Sequence, residues 1–583
     1  MKKVKLFSFA LAALMLGACT NEDVIDNGGQ TVLPGEKGYI SLAINLPTTP
    51  STRANDNFDE GLPVEYAVKN ATLLIFEGTD ESTATFTGGY DLGKIIPNTV
   101  GGNITSTFKV TQKITKPVNG DLYALVVVNR GDILTTKDQG ATWELNGTDL
   151  STSTTLAAFS AAAQEIAAER LYDTANEGDG FFMTNAPLYS VPGGVTQPTG
   201  GKLSTLTLIN AENVYSTAAE AEDNPAASVY VERAVAKVTV TGDDGNLGNN
   251  AGISYTLSGW TFDVTNKKTY LVRNMNGSDT WWAYNVDGDY RFVGSAAVGP
   301  NLYRTYWGVD PNYDGEGDYI PADFNMISGT TPVPSSMTAM TTAGYCLENT
   351  FNVNNQNQNQ TTRVIVAATL NAGNTFYIVN NNKGAIYNEE QAKNEIKAEY
   401  LGNQAVIAAL TANLDGADKK ITGADLTVTF DKAAGDLTVT KIEISADKAG
   451  DFKGDEIPDA LKPGTEANNA ILAAVNAGKK VSCYENGIAY YPVMIKHFGD
   501  DLTPWSAEGK TESYPEPGAE NNWLGRYGVL RNNWYEINVT GIRDIGYADV
   551  PEVYGTPDDP VESYISVEIN VLSWAKRSQS VEL

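Results

Sequence analysis

Short runs of alternating apolar and polar residues, separated by clusters of Gly, Pro, Asn and Asp, occupy most of this chain. The first is "GYISLAINLP", Gly38 to Pro47. Ile40, Leu42, Ile44 and Leu46 fall on one face, and Tyr39, Ser41, Ala43 and Asn45 on the other. A period of two predicts a strand with one buried face. The same reading predicts strands over 71–77, 106–114 and 122–129, within "GFFMTNAPL" and "STLTLINAENVY", and over 228–240. Further strands are expected in "SYTLSGWTFDV", "KKTYLVR", "TTRVIVAATL", "NTFYIVN", "DLTVTFD" and "DLTVTKIEIS", and over 483–498 and 528–542. Helical periodicity is the exception, at 155–171, near 389–412 and at 466–478. Short, turn-separated strands with few helices predict an all-β protein with minor helices, arranged as β-sandwiches.

The last predicted strand, "SYISVEINVL" (563–572), puts Ile565, Val567, Ile569 and Val571 on one face. It nearly repeats the first. Tyr39 to Leu46 and Tyr564 to Val571 share five of eight residues, and two of the other three are Leu-to-Val changes. Two segments so alike suit the same place in a sheet.

A polar, glycine-rich break at 241–252 predicts a domain boundary, with 216–227 as the competing position. The segment 551–563 holds three prolines and predicts an extended linker ahead of the last strand. The expected organisation is 1–19 signal, 20–53 tether and first strand, 54–241 N-terminal sandwich, 242–562 C-terminal sandwich with linker, and 563–583 terminal strand. The 583 residues are ample for two such domains.

The net charge of −30 excludes nucleic acid as a partner, since phosphate contacts need Lys and Arg. The N-terminus changes the picture more. Lys2, Lys3 and Lys5 precede the apolar run "LFSFALAALML", and "LGAC" ends it at Cys19. This is a targeting segment, and "LGAC" resembles a bacterial lipobox in which the Cys19 thiol takes the lipid. The acidic "NEDVID" that follows is similar to the surface-export tags of some Gram-negative lipoproteins.

Candidate chemistry is sparse. The single histidine, His497, lies in an apolar run and is expected to be structural. No Walker, G-x-G-x-x-G or H-E-x-x-H motif occurs. "DPNYDGEGD" (310–318) starts like a calcium loop with Asp310, Asn312, Asp314 and Gly315, yet Pro321 stands where the closing Glu belongs; a polar turn is the simpler reading. "NRGD" (129–132) holds Arg-Gly-Asp, which a strand exit also explains. Trp281 and Trp282 in "DTWWAYN" are expected in a core rather than on a sugar. Cys346 and Cys483 match no metal spacing and are either one disulfide or two buried thiols. No catalytic residue, cofactor or metal is expected.

Arg53 is the only basic residue between Lys37 and Lys69, in a Pro/Thr/Ser-rich loop that a protease can reach. Cutting the Arg53–Ala54 bond would release Ile40, Leu42, Ile44 and Leu46 with their strand. The emptied groove, with unpaired backbone on both sides, would need a new strand. The terminal strand of a neighbouring copy has the right pattern, and such head-to-tail addition makes a filament.

At this point the chain resembles the Bacteroidales fimbrillins, of the kind that form the shaft of short type V fimbriae. The resemblance lies in "LYALVVVN" (122–129), "FFMTNAP" (181–187), "VERAVAKVTV" (231–240), "KKTYLVR" (267–273), "VLRNNWYEINV" (529–539) and "SVEINVLSWAKRSQSVEL" (566–583). It implies two transthyretin-like sandwiches and a precursor exported as a lipidated, palmitate-bearing outer-membrane lipoprotein. It also implies cleavage by an Arg-specific protease, then polymerisation by donor-strand exchange into a surface fimbrium serving adhesion, biofilm and colonisation. Partners are then further copies of itself, anchor and tip subunits, and receptors on host or bacterial surfaces. The competing readings are a tip or accessory adhesin, which need not donate a strand, and a surface glycan-binding lipoprotein that keeps its tether uncut.

Overall fold

The computed structural model describes residues 31–46, 63–94, 107–118, 120–161, 166–174, 180–275, 278–313, 319–431, 435–506, 514, 520–559 and 564–573. Cys19, Arg53, Ala54, Asp314 and Gly315 lie outside them.

The expected strands are mostly present, and three of them define the first sheet's far side: β1 (Lys37–Asn45), β2 (Thr107–Thr115) and β3 (Ala227–Arg233). The strand order is Thr85–Gly93, Ala71–Gly78, Asp121–Val128, Met183–Asn185, β3, β1, β2, with Thr207–Ile209 added beside Asp121–Val128. The sheet closes over Leu73, Leu125, Trp143, Phe159, Phe181 and their neighbours. At Ala234 the chain leaves it. The apolar run 228–240 was expected as one strand, but Arg233 turns inward there. Its Nε donates to the Glu65 carbonyl at 2.8 Å and its Nη1 to Asn532 Oδ1 at 3.2 Å.

The next strand, β4 (Val235–Gly242), opens a second pair of sheets. One runs Gly344–Leu347, β4, β5 (Asn533–Ile542), β6 (Ile565–Ser573), with β4 parallel to β5 and β6 antiparallel to it. The facing sheet holds Gly245–Asn246, Ser254–Asp263, Arg363–Leu370 and Ile488–Met494. Val238, Trp260, Val366, Tyr491 and Ile537 fill the space between. Within the glycine-rich stretch 241–252, Asp243 and Asp244 join β4 to Gly245–Asn246 of this facing sheet. The fold is thus mostly β, with two curled sheet systems in tandem.

Three expectations need correction. "KKTYLVR" is not a strand. Tyr270, Leu271 and Val272 are buried in succession. The carbonyls of Tyr270 and Leu271 accept from the Arg531 guanidinium at 2.5 and 3.0 Å, and that of Leu271 also from Thr184 Oγ1 at 2.9 Å, rather than from the backbone of a neighbouring strand. Of the helix expected over 155–171, Leu156–Ala161 are α-helical, Ile166 and Ala167 are not, and Ala168–Arg170 form a 3-10 turn. The segment 551–559 is not a free linker. It docks against 356–363: Asp558 N donates to the Gln356 carbonyl, Gln358 N to Thr556 O, and Arg363 Nη2 to Pro551 O.

Helices Glu389–Gly402, Gln404–Asn413 and Glu466–Gly478 match the expected pattern. They pack on a sheet of Phe376–Val379, Val481–Tyr484, Gly435–Ile444 and Leu426–Asp431, around Ile396, Tyr400, Val428, Ile442 and Val475. This separate α+β lobe is inserted between two adjacent strands of the second sandwich, Arg363–Leu370 and Ile488–Met494.

An aromatic cluster, with Trp281, Trp282, Phe292, Trp307 and Phe498, fills the region between the two sheet systems. His497 sits against it. Its ring nitrogens lie 2.7 Å from Tyr535 Oη and 2.8 Å from the Tyr306 carbonyl. Nε2 therefore carries the proton and donates to the carbonyl, and Nδ1 accepts from Tyr535. Burial pushes the imidazole down to about 4, so it is neutral and structural. Another buried contact crosses the sheet boundary. Glu65, fully buried, meets Lys237 Nζ on β4 at 2.7 Å and accepts from Tyr345 Oη at 2.8 Å.

Two stability predictions follow from these buried groups. Glu65→Ala leaves the Lys237 ammonium buried without its carboxylate and should cost about 3–5 kcal/mol in urea unfolding. The double change Glu65→Ala with Lys237→Met should recover most of that loss; no recovery would mean the damage comes from packing. For His497, the folded-state value lies below the ordinary 6.5. The stability present above pH 6.5 should therefore be lost as pH falls toward 4, by about 3 kcal/mol in all. In His497→Gln the decline between pH 7 and pH 4.5 should be shallower by a corresponding amount. Parallel curves for the two proteins would refute the assignment.

Candidate functional site

β1 lies near the N-terminal end of the chain yet sits inside its sheet. Its alternation sends Ile40, Leu42 and Ile44 into the core at 0% exposure, and Leu46 at 3%. These are the four residues expected on the buried face. On one side β1 pairs antiparallel with β2 along its whole length, from Lys37 opposite Thr115 to Asn45 opposite Thr107. On the other it runs parallel to β3, from Leu42 beside Ala227 to Asn45 beside Tyr230. Beyond the end of β3, Tyr39 and Tyr215 exchange two backbone hydrogen bonds of 2.7 and 2.8 Å, and Ala226 N donates to Ser41 O at 2.7 Å.

The polar face of β1 also has partners. Thr107 Oγ1 donates to Asn45 Oδ1 at 2.7 Å, and Asn45 Nδ2 donates to the Val229 carbonyl at 3.2 Å. Lys113 Nζ stands 5.5 Å from the centre of the Tyr39 ring. The Ser41 hydroxyl is buried without a partner among the described residues. Ala43 lies between Lys109 on β2 and Ser228 on β3. Nothing in the sequence alone identifies β2 and β3 as the flanking strands, because pairing partners leave no local signature. Lys109, Thr107 and Ser228 were therefore not among the expected site residues.

The C-terminal strand is placed elsewhere. β6 lies along β5 as the last strand of its sheet, from Ile565 opposite Ile542 to Ser573 opposite Asn533. Ile565 is buried, Val567 and Ile569 are half-buried against the second core, and Ser566 and Glu568 are exposed. Val571 pairs through its backbone with Tyr535. At the root of the strand Lys383 Nζ sits 3.3 Å from the centre of the Tyr564 ring. Within this chain, then, the two similar strands are not neighbours: one is interior, the other an edge.

The remaining candidates resolve into structural roles. Asp310 is fully buried and accepts from the backbone N–H groups of Asn312 and Thr350 and from Asn266 Nδ2; burial holds its carboxyl well above the usual range. Among the described residues no group of three or more His, Cys, Asp or Glu side chains could hold a metal ion. In the Arg-Gly-Asp triplet, Arg130 is bound to Asp91 and Thr72, and Asp132 to Arg170. Trp281 and Trp282 are core residues, as expected. Cys346 and Cys483 are both free thiols, and burial raises Cys346 to about 12.

Residues 482–580, which include β5 and β6, match the family model "Major fimbrial subunit protein type IV, Fimbrillin, C-terminal". No curated protein matches the chain. Among solved structures, a fimbrilin from Porphyromonas gingivalis W83 aligns at 13% identity and a TM-score of 0.34, covering 93% of this chain and 99% of that one. A candidate cell adhesion protein from Parabacteroides distasonis ATCC 8503 aligns at 10% identity and 0.35, covering 93% and 99%. Another from Bacteroides eggerthii DSM 20697 gives 11% and 0.33, covering 94% and 98%. Over residues 482–580, then, the chain is similar to the C-terminal part of the fimbrillins, a family of major fimbrial subunits.

Proposed function

We infer that the protein is a shaft subunit of a surface fimbria, assembled by replacement of β1 with the terminal strand of a second copy. The observation that carries this reading is the contrast between two near-identical strands. β1 occupies an interior slot and precedes Arg53 closely in the sequence, and β6 occupies an edge. On this reading the two sheet systems correspond to the transthyretin-like sandwiches that the resemblance implies. The precursor travels to the outer membrane lipidated on Cys19. An Arg-specific protease then cuts Arg53–Ala54 and frees the subunit together with its groove.

Removing β1 withdraws four buried aliphatic side chains, about 6–12 kcal/mol of burial at roughly 1.5–3 kcal/mol each, as an upper estimate. It also leaves β2 and β3 with unpaired backbone. Ile565, Val567, Ile569 and Val571 supply the same alternation. The tail 563–583 favours a shaft subunit over a tip adhesin, since only a subunit with a neighbour beyond it needs to donate. Anchor and tip subunits bound the filament.

Three variants test this reading. Arg53→Ala should accumulate as a lipidated precursor that does not polymerise, whereas processed wild-type protein should begin at Ala54; normal fibres from the variant would sink the idea. Cys19→Ser should lose acylation, measured by labelled-palmitate incorporation. Deleting 563–583 should leave a folded, processed subunit that cannot extend a fibre. Long fibres from the truncated protein would place assembly on another contact.

A further inference from the structure

We propose that the incoming tail enters the groove in a single register, with Tyr564, Ser566, Glu568 and Asn570 in the places of Tyr39, Ser41, Ala43 and Asn45, and that Glu568 then pairs with Lys109 of the receiving copy. This rests on the strand-replacement reading and adds to it the determinant of register and partner choice.

The four aliphatic residues cannot set register alone, because a shift of two residues keeps them facing the core. The polar face is more selective. Tyr39, Ser41 and Asn45 each recur in the tail, and two of them have specific partners in the groove. Tyr39 stacks under Lys113, and Asn45 is held by Thr107 and the Val229 carbonyl. The one non-conservative difference on this face is Ala43 against Glu568. Position 43 lies directly opposite Lys109 on β2.

Lys109 is exposed, and its Nζ donates at 3.2 Å to a backbone carbonyl, that of Glu222, and to no carboxylate among the described residues. The Glu222 carboxylate lies 3.5 Å from Thr111, one cross-strand position along from Lys109 on the same face. A glutamate at position 43 would thus gain an opposite charge across the strand pair that the first strand's alanine does not use. In its own chain Glu568 lies opposite Asn538 on β5 and has no such partner among the described residues. The groove is therefore better matched in charge to the tail of another copy than to the strand it holds before cleavage.

The test uses full-length subunits with two different tags, processed by an Arg-specific protease and assembled together. One copy carries Glu568→Cys, and the other Lys109→Cys, Thr107→Cys or Thr111→Cys. Directly opposed residues come within disulfide range, whereas those two positions away do not. Single-cysteine mixtures serve as blanks for Cys346 and Cys483. The expected result is a disulfide joining the two tags from Lys109→Cys, well above those from Thr107→Cys and Thr111→Cys. Cross-tag disulfides concentrated at Thr107→Cys or Thr111→Cys would leave strand replacement standing and overturn the register. Fibres without cross-tag disulfides at any of the three would overturn strand replacement in this groove, and the register with it. In a second arm, Glu568→Lys should slow fibre elongation about threefold to tenfold, and adding Lys109→Glu to the same chain should restore it. Elongation no faster in the double variant than in Glu568→Lys alone would overturn the ion pair.

Discussion

The N-terminal sandwich depends on one strand that lies close to the end of the chain and in the interior of the sheet. β1 is parallel to β3 and antiparallel to β2, and it contributes three side chains with no exposure and a fourth with almost none. A terminal strand at a sheet edge can fray at little cost, because water takes over its backbone bonds. A terminal strand in the interior cannot. Its loss strips pairing partners from two neighbours and opens the core between them. The burial at stake is comparable to the whole stability of an ordinary domain. The sandwich is therefore stable only while something occupies this slot.

The rest of the molecule keeps that slot in shape from the far side. Glu65, which follows Arg53 in the sequence, is locked to Lys237 and Tyr345 of the second sheet system. Arg233 ends β3 by bonding to the Glu65 carbonyl and to Asn532. Glu232 on β3 is paired with Arg273 at 2.9 Å, both buried. These contacts tie β3, one wall of the groove, to the second sandwich. They also hold the segment that begins at Pro63 independently of β1. Release of β1 then need not carry the rest of the N-terminal chain with it.

Much of this was legible in the residues. The buried face of β1 follows from the alternation of Ile40, Leu42, Ile44 and Leu46, because a half-buried strand has a period of two and nothing else in that stretch competes. The helices at 389–413 and 466–478 follow from their spacing in the same way. What was not legible depended on partners distant in the sequence. "KKTYLVR" has strand-like composition, but the Arg531 guanidinium takes its carbonyls, and no local rule shows an arginine 260 positions away. The run at 228–240 reads as one strand until Arg233 is seen bonded to Glu65 and Asn532. The proline-rich 551–559 reads as a linker by composition, yet its backbone is bound to 356–363. The α+β lobe is invisible as a unit because its strands, taken singly, look like those of the sandwich into which it is inserted.

On the proposed reading, the place of the tail in its own chain bears on how exchange would be driven. β6 is already a strand, paired at nine positions with β5, so the tail does not have to be ordered from a free coil when it is donated. Leaving β5 breaks one ladder at a sheet edge, where water can satisfy the freed groups. Entering the groove makes a ladder of nine positions with β2 and a second of four with β3, on the pattern β1 displays. It also moves Val567 and Ile569 from half-buried positions to fully buried ones. The backbone terms nearly cancel on the first side, so the net drive comes from the second ladder and the added apolar burial. A donor taken from an edge gains on both counts; one taken from an interior slot would gain on neither. The proposed strand replacement would run downhill in this direction because the stored strand is an edge and the vacated one is not.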